Sequence, residues 1–305
     1  MPEASYLKLR REGKLQDRID RALERLARCT LCPRRCGINR LADERGFCKT
    51  GRRARVASAQ PHFGEEPPLV GRNGSGTIFF SSCNLLCSFC QNYDISHTNG
   101  GFEVTPEDLA ELMIRLARGG CHNINFVTPT HVVPQILEAL PLAIEKGLRV
   151  PLVYNSGGYD LVSTLNLLEE VFDIYMPDFK FWDSRWADVF CQAPDYRQTA
   201  CQALSEMHRQ VGDLVINSRG IAVKGVLVRH LVMPREVAGT REIMGFLANE
   251  ISTRTYVNVM DQYRPCYRAS SDPIISRRIT GTEYQRALEW AKDAGLKRLD
   301  KRARF

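Results

Sequence analysis

Three cysteines, Cys83, Cys87 and Cys90, stand in the spacing Cys-x3-Cys-x2-Cys directly after the apolar run TIFFSS. Thiolates this close in sequence can wrap one small, soft, cationic centre. On a four-iron, four-sulfur (4Fe-4S) cluster, three ligands leave one iron open, and an open metal position is a chemical position. Zinc suits the triad less well, because its structural sites close with four ligands. A second group, Cys29-x2-Cys32-x3-Cys36-x11-Cys48, has knuckle-like spacing with prolines and glycines nearby. Four thiols suit zinc, which would staple a short segment lacking its own core. They suit a second iron–sulfur cluster equally, and the spacing leaves both open. Arg34, Arg35, Arg52, Arg53 and Arg55 surround this module and are expected to face solvent or an acidic macromolecule. Cys121, Cys191, Cys201 and Cys266 are scattered and read as small buried hydrophobes. Among them Cys266 is the one placed to act as a substrate-side thiol. His62, His97 and His131 have no partner at ligand spacing.

The elements that must position these groups follow from periodicity. Residues 5–28 read as one basic amphipathic helix, with Leu15, Ile19, Leu23 and Leu26 on one face. Residues 29–55 form the cysteine-rich module, and 56–76, with three prolines in PHFGEEPP followed by GRNGSG, read as an irregular linker. From residue 77 to 305 the pattern alternates. Apolar runs such as TIFFSS, NINFVT, RVPLVY, FDIYMP, VKGVLVRHLV and TYVNVM are each followed by a helical pattern. Thr105-Pro-Glu-Asp108 is a capping-box start to the first of these helices. Six β/α units imply right-handed crossovers, a parallel sheet, and ligands at the carboxyl ends of the strands.

Polar residues gather at those ends. Asp178 and Lys180, two apart on a strand, point the same way. Arg229 lies in the apolar strand LVRHLVMP and is costly there unless it meets an anion. Tyr154-Asn-Ser-Gly-Gly-Tyr-Asp160 ends the third strand, and its glycines allow close backbone approach. Asn258, Asp261 and Gln262 end the sixth and are expected near the open mouth.

The triad, placed after the first strand of a β/α series with Phe89 just before its third cysteine, resembles the radical S-adenosylmethionine (SAM) superfamily. The other strand ends resemble its pyruvate formate-lyase-activating-enzyme-like branch, from Cys29 to about Asp272. The resemblance implies an α/β fold, a partial (β/α)6 barrel of TIM-like type, and an oxidoreductase. It implies a 4Fe-4S cluster on Cys83, Cys87 and Cys90 whose open iron chelates SAM. Reductive cleavage of SAM would release a 5′-deoxyadenosyl radical that abstracts hydrogen from a substrate, such as a glycine of a partner protein. Another peptide, an RNA or a small molecule is the alternative substrate, and a non-catalytic iron–sulfur or zinc module is the alternative of another class. The implied cofactor contacts are Phe89, Asn155, Ser156, Asp178, Lys180, Arg229 and Asn258. Thr128 and Thr130 stand where activating enzymes carry Gly-Gly-Glu, so a threonine hydroxyl would meet the SAM amino group. The amino-terminal cysteine module is a departure from the simplest activators. An electron donor such as flavodoxin or ferredoxin is the implied partner, beside a protein or RNA substrate.

The chain has 305 residues, 44% apolar and 25% charged, which is ordinary for a globular protein with a buried core. Met1 to Gly13 show no secretory pattern, and no apolar run approaches the roughly 20 residues of a bilayer crossing. Eleven cysteines in such a chain fit a reducing cytoplasm, where clustered thiols bind metal. The net charge of +7 is concentrated at the ends: residues 1–55 hold 16 basic against 7 acidic residues, and 297–305 hold five basic residues against Asp300. Basic ends of this kind suit an acidic partner.

Overall fold

The computed structural model describes residues 3–300; Met1, Pro2 and the last five residues, with Lys301, Arg302 and Arg304 of the basic end, lie outside it. The described strands are β1 (Ala54–His62), β2 (Ser75–Phe80), β3 (Phe102–Val104), β4 (Ile124–Val127), β5 (Leu152–Ser156), β6 (Ile174–Pro177), β7 (Val215–Ile216), β8 (Ala222–Leu231), β9 (Tyr256–Met260) and β10 (Arg298–Leu299). Their order across the sheet is β10-β9-β8-β6-β5-β4-β2-β1-β3, with β7 on the edge of β8. From β2 to β10 every neighbouring pair is parallel. The six long units β2, β4, β5, β6, β8 and β9 are those expected, and they form the partial (β/α)6 barrel. β5 and β6 are buried along their whole length, as strands covered on both faces must be.

The helices are α1 (Ser5–Arg11), α2 (Leu15–Ala27), α3 (Pro67–Val70), α4 (Tyr93–Ser96), α5 (Pro106–Arg118), α6 (Val133–Glu145), α7 (Val162–Leu165), α8 (Ser184–Cys191), α9 (Tyr196–Val211), α10 (Thr240–Phe246) and α11 (Gly281–Asp293). The capping box of α5 is formed: Thr105 Oγ1 accepts from Asp108 N at 3.1 Å, and the Asp108 carboxylate accepts from Thr105 N at 2.9 Å. The single helix expected over 5–28 is two helices, because Gly13, at φ +71°, turns the chain between them. Both pack on the barrel. Tyr6 donates to Val150 O at 2.9 Å and Ser5 Oγ to Asp173 Oδ1 at 2.8 Å, below the start of β5 and β6.

Residues 56–76 are not a linker. β1 pairs antiparallel with β2, His62 against Ser75, despite Pro61 within it. Residues 63–74 then return under the barrel as a plug at the amino ends of the strands. Alternation along each strand puts Val153 on the face of Asn155, Met176 on that of Asp178, and Leu227 on that of Arg229. Leu69 of α3 packs against this inner face, with Val153, Ile174, Met176 and Leu227.

Candidate functional site

The loop after β2 carries the cysteine triad. Ser82 takes φ +73°, and Leu86, between Cys83 and Cys87, takes +51°. Three hydrogen bonds fix the loop's course. Asn84 Nδ2 donates to Tyr159 O at 2.8 Å, Ser88 N to Phe190 O at 2.8 Å, and Cys90 N to Cys87 O at 3.1 Å. Cys83, Cys87 and Cys90 all line one cleft of about 1070 Å³, part of it open solvent. Burial pushes the Cys83 thiol up to about 12 and also raises Cys90. Cys87 rises well above the usual range, through its contact with Cys191 and through burial. Three thiols that resist ionisation in an apolar loop become ligands only beside a cationic centre that compensates their charge.

The far wall of the cleft is a charged constellation. Asp178 receives Arg229 Nε at 2.8 Å on one oxygen and Lys180 Nζ at 2.6 Å on the other. Burial works to raise the Asp178 pKa, yet the two cations prevail and hold it below the usual range. Arg229 also donates to Asn155 Oδ1 at 2.7 Å and lies 3.7 Å from Glu65 of the plug. The anion that Arg229 requires is therefore supplied from within the barrel. The Asn155 amide nitrogen, buried at the same cleft, has no hydrogen-bond partner among the described residues. A buried donor left unpaired in a cleft is a binding position for an acceptor. Gly158, at φ +75°, lets the β5 turn approach Asp178 so closely that a Cβ would lie 2.2 Å from its carbonyl oxygen.

Among the expected contacts, Phe89, Thr128, Asn155, Ser156, Asp178, Lys180 and Arg229 line this one cleft. Phe89 is set there by an aromatic cluster with Phe181, Phe190 and Tyr263. Thr130 and Asn258 do not line it. Thr130 turns inward and donates to Asp160 at 2.7 Å; Asn258 donates downward to Glu66 at 2.5 Å. Cys266 is not on the cleft either, whereas Gln262 is.

The positioning groups were not apparent beforehand. Asp160 is buried and accepts from Thr130, Tyr154 and Ser156, fixing the β5 turn. Tyr196, on α9, donates to the carbonyls of Gly157 and Asp178 and accepts from Lys180 N. Cys191, expected to be an inert hydrophobe, has its sulfur 3.3 Å from that of Cys87.

The amino-terminal cysteines share a folded knuckle. Cys29 N donates to Ile38 O at 2.8 Å and Arg35 N to Cys32 O at 3.0 Å. Cys32 is pushed up to about 12 by burial, with the Cys48, Cys29 and Cys36 thiols adding to it, so the four lie within electrostatic reach. Arg34 ties the module to the triad loop rather than facing solvent. It donates to Asn84 O at 2.8 Å, Cys191 O at 2.8 Å and Gln192 O, and stacks 3.8 Å over Phe47. Arg52 likewise pairs with Glu138 of α6. Among the described residues, no three His, Cys, Asp or Glu side chains are spaced to hold a single metal ion. A four-iron cluster spreads its thiolates over its corners, wider than a lone ion with sulfurs at about 2.3 Å.

A parallel partial barrel with a three-thiol loop and a charged cleft at the carboxyl ends of its strands defines a cofactor-dependent α/β protein. The family model described as Radical SAM superfamily matches residues 77–242. The chain belongs to that superfamily, and membership implies a 4Fe-4S cluster and SAM. It is 34% identical over 278 residues to an uncharacterized protein, MJ0674, of Methanocaldococcus jannaschii, covering 88% of this chain and 75% of that one. Two solved structures show likeness. One, described as native anSMEcpe with bound AdoMet and Cp18Cys peptide, has TM-score 0.50 and 12% identity over 72% of this chain, which spans 60% of that one. This likeness concerns the fold alone. The other, a domain of pyruvate-formate lyase-activating enzyme from Bacteroides vulgatus, has TM-score 0.36 and 14% identity, covering 64% and 91% of the two chains. Among the described residues no helix is long and apolar enough to cross a membrane.

Proposed function

We propose that the chain is a radical SAM enzyme in which Cys83, Cys87 and Cys90 hold the 4Fe-4S cluster and the adjoining cleft holds SAM. The observation that carries this reading is the shared cleft: one buried and two half-buried thiols line it together with Asn155, Asp178, Lys180 and Arg229. When bound, the cluster supplies one electron for cleavage of SAM to methionine and a 5′-deoxyadenosyl radical that takes hydrogen from the substrate. The protein's residues bind and orient. Asn155 Nδ2 offers its unpaired donor to a SAM oxygen, and Lys180, with one N–H on Asp178, has further N–H donors for its carboxylate. Phe89 and its aromatic neighbours keep water from the thiols. Of the two threonines, Thr128 lines the cleft and offers its hydroxyl to the SAM amino group. Asn258 and Thr130 act behind the site as supports.

The substrate we place first is a glycine of a partner protein, which would leave a stable radical on that partner; a changed mass on a peptide, RNA or small molecule would favour the alternative. For Cys29, Cys32, Cys36 and Cys48 we propose a second metal site; thiols spread too widely for a lone ion favour an iron–sulfur cluster over zinc, and counting iron and zinc per chain separates the two. The test of the SAM site is the electron paramagnetic resonance (EPR) spectrum of the reduced, reconstituted protein. SAM is expected to change the spectrum, and Asn155→Ala to raise the SAM concentration required about fivefold, the worth of one hydrogen bond near 1 kcal/mol. A spectrum indifferent to SAM contradicts the reading.

A further inference from the structure

Arg34 lies between Cys32 and Cys36 of the amino-terminal module, and its backbone and side chain serve different sites. Its backbone N–H favours the Cys32 thiolate, as the backbone N–H of Thr50 favours that of Cys48. Its side chain reaches out of the module. Nε donates at 2.8 Å to the carbonyl of Asn84, between Cys83 and Cys87, and Nη2 at 2.8 Å to that of Cys191. Nη1 donates to the carbonyl of Gln192. The last two carbonyls end α8, where a cation also complements the helix dipole. Phe47, 3.8 Å from the guanidinium carbon, and Tyr159, 5.2 Å from it, add cation–π contacts.

The triad loop needs such a clasp. Ser82 and Leu86 sit at positive φ, and so does Gln192, whose carbonyl Arg34 takes. Backbone of that kind persists only where its surroundings over-determine it. Arg34 bonds both flanks of Cys87: the loop at Asn84, and α8 at Cys191, whose sulfur is 3.3 Å from that of Cys87. The module, in turn, has little apolar core of its own. Leu26, Cys29 and Leu31 form a small cluster apart from the main one. Its turns close on cysteine instead, and a Cβ on Gly46 would lie 2.8 Å from the Cys36 sulfur. In a segment built this way, metal binding supplies the folding free energy.

We propose that Arg34 is a positioning residue that couples the two cysteine sites: metal at Cys29, Cys32, Cys36 and Cys48 folds the module, the folded module presents Arg34, and Arg34 sets the triad loop in the course that binds SAM. The proposal rests on the readings of both cysteine groups as metal sites. Hydrogen bonds from a charged donor are stronger than neutral ones, so three from one guanidinium transmit the module's folding to the loop. The coupling is reciprocal: a loaded triad also tightens the module's hold on its metal. Lysine does not replace Arg34, because an ammonium lacks the planar fork of donors that serves several carbonyls at once.

The test compares anaerobic, reconstituted wild type with Arg34→Met, Arg34→Lys, the pair Cys29→Ser with Cys32→Ser, and that pair combined with Arg34→Met. Iron and zinc are counted per chain, and the metal lost on changing the cysteine pair gives the module's content. The EPR spectrum of the reduced protein gives the SAM concentration that half-changes it, and circular dichroism melting reads folding. Arg34→Met is expected to keep the module's metal and to melt as a folded protein, yet to need about tenfold more SAM. Arg34→Lys is expected to fall between it and wild type, and carries the comparison if Arg34→Met does not fold. The cysteine pair is expected to need at least as much SAM as Arg34→Met. Adding Arg34→Met to the pair is expected to change that need by less than about twofold, the non-additivity of groups acting in one line. A merely structural Arg34 would lower the melting temperature and leave the SAM requirement alone, which overturns the proposal. So does a cysteine pair with the wild-type SAM response, or effects of the arginine and cysteine changes that multiply. A wild type with no metal at the module, or with a cluster whose spectrum ignores SAM, instead refutes the readings beneath the proposal and takes it down with them.

Discussion

Asp178, Lys180 and Arg229 show how charge is kept at the cleft by mutual pairing. Each cation has a carboxylate within hydrogen-bond reach, and each carboxylate oxygen of Asp178 has a cation. Removing one partner from such a group leaves a buried charge uncompensated, which costs about 3–5 kcal/mol. Behind the cleft, buried histidines give the protein an acid-sensitive stability. His131 is held neutral, its pKa lowered to about 4 by burial, with Nε2 donating to Ser81 O. An unfolded histidine takes its proton near 6.5, so between 6.5 and about 4 the unfolded chain binds a proton that the folded chain refuses. The contribution is complete above 6.5 and is lost as pH falls through that window, at about 1.4 kcal/mol per pH unit. Urea unfolding from pH 7 to 4.5 is expected to show a shallower decline in His131→Gln, which keeps the donor and removes the titration; an identical slope contradicts the assignment. The local part of this chemistry was legible. Cys83, Cys87 and Cys90 sit within eight residues, and Asp178 and Lys180 stand two apart just past the end of β6, so spacing alone located them. Cys191 and Asp160 were not legible, because their partners Cys87 and Thr130 are far off in sequence and meet only in the fold.

At the scale of elements, the plug between β1 and β2 accounts for most of what the sequence concealed. Pro61, Gly64, Pro67 and Pro68 carry the composition of a loop, and local propensity has no means of showing that Leu69 will be buried inside a barrel. The alternation of strands and helices from residue 77 onward was legible because each apolar run is bounded by turn residues and followed by a 3.6-residue period. The same absence of tertiary information placed Asn258 at the mouth, when Glu66 of the plug draws it inward. The plug has a measurable weight. Leu69→Ala removes a fully buried side chain from the small inner core and is expected to lower stability by about 2–5 kcal/mol. Denaturant unfolding checks it, and a change within about 0.5 kcal/mol would mean that α3 does not close the barrel.

For the whole molecule, one loop joins the parts. Its cysteines line the cleft read as the SAM site, and Arg34 fastens the four-cysteine module to it and to the end of α8. That module was expected as a separate attachment with its arginines outward; instead Arg34 and Arg52 spend their charge on carbonyls of the triad region and on Glu138. Barrel and module therefore meet at the triad, the centre that the proposed radical SAM function requires. The measurement that tests this most directly is anaerobic turnover of the reconstituted protein with SAM and dithionite, quantifying 5′-deoxyadenosine by mass spectrometry for wild type beside Cys90→Ala. The account predicts that wild type forms 5′-deoxyadenosine and methionine in equal amounts, and that Cys90→Ala forms neither. Absence of 5′-deoxyadenosine from a wild-type protein that has demonstrably bound its cluster would contradict it.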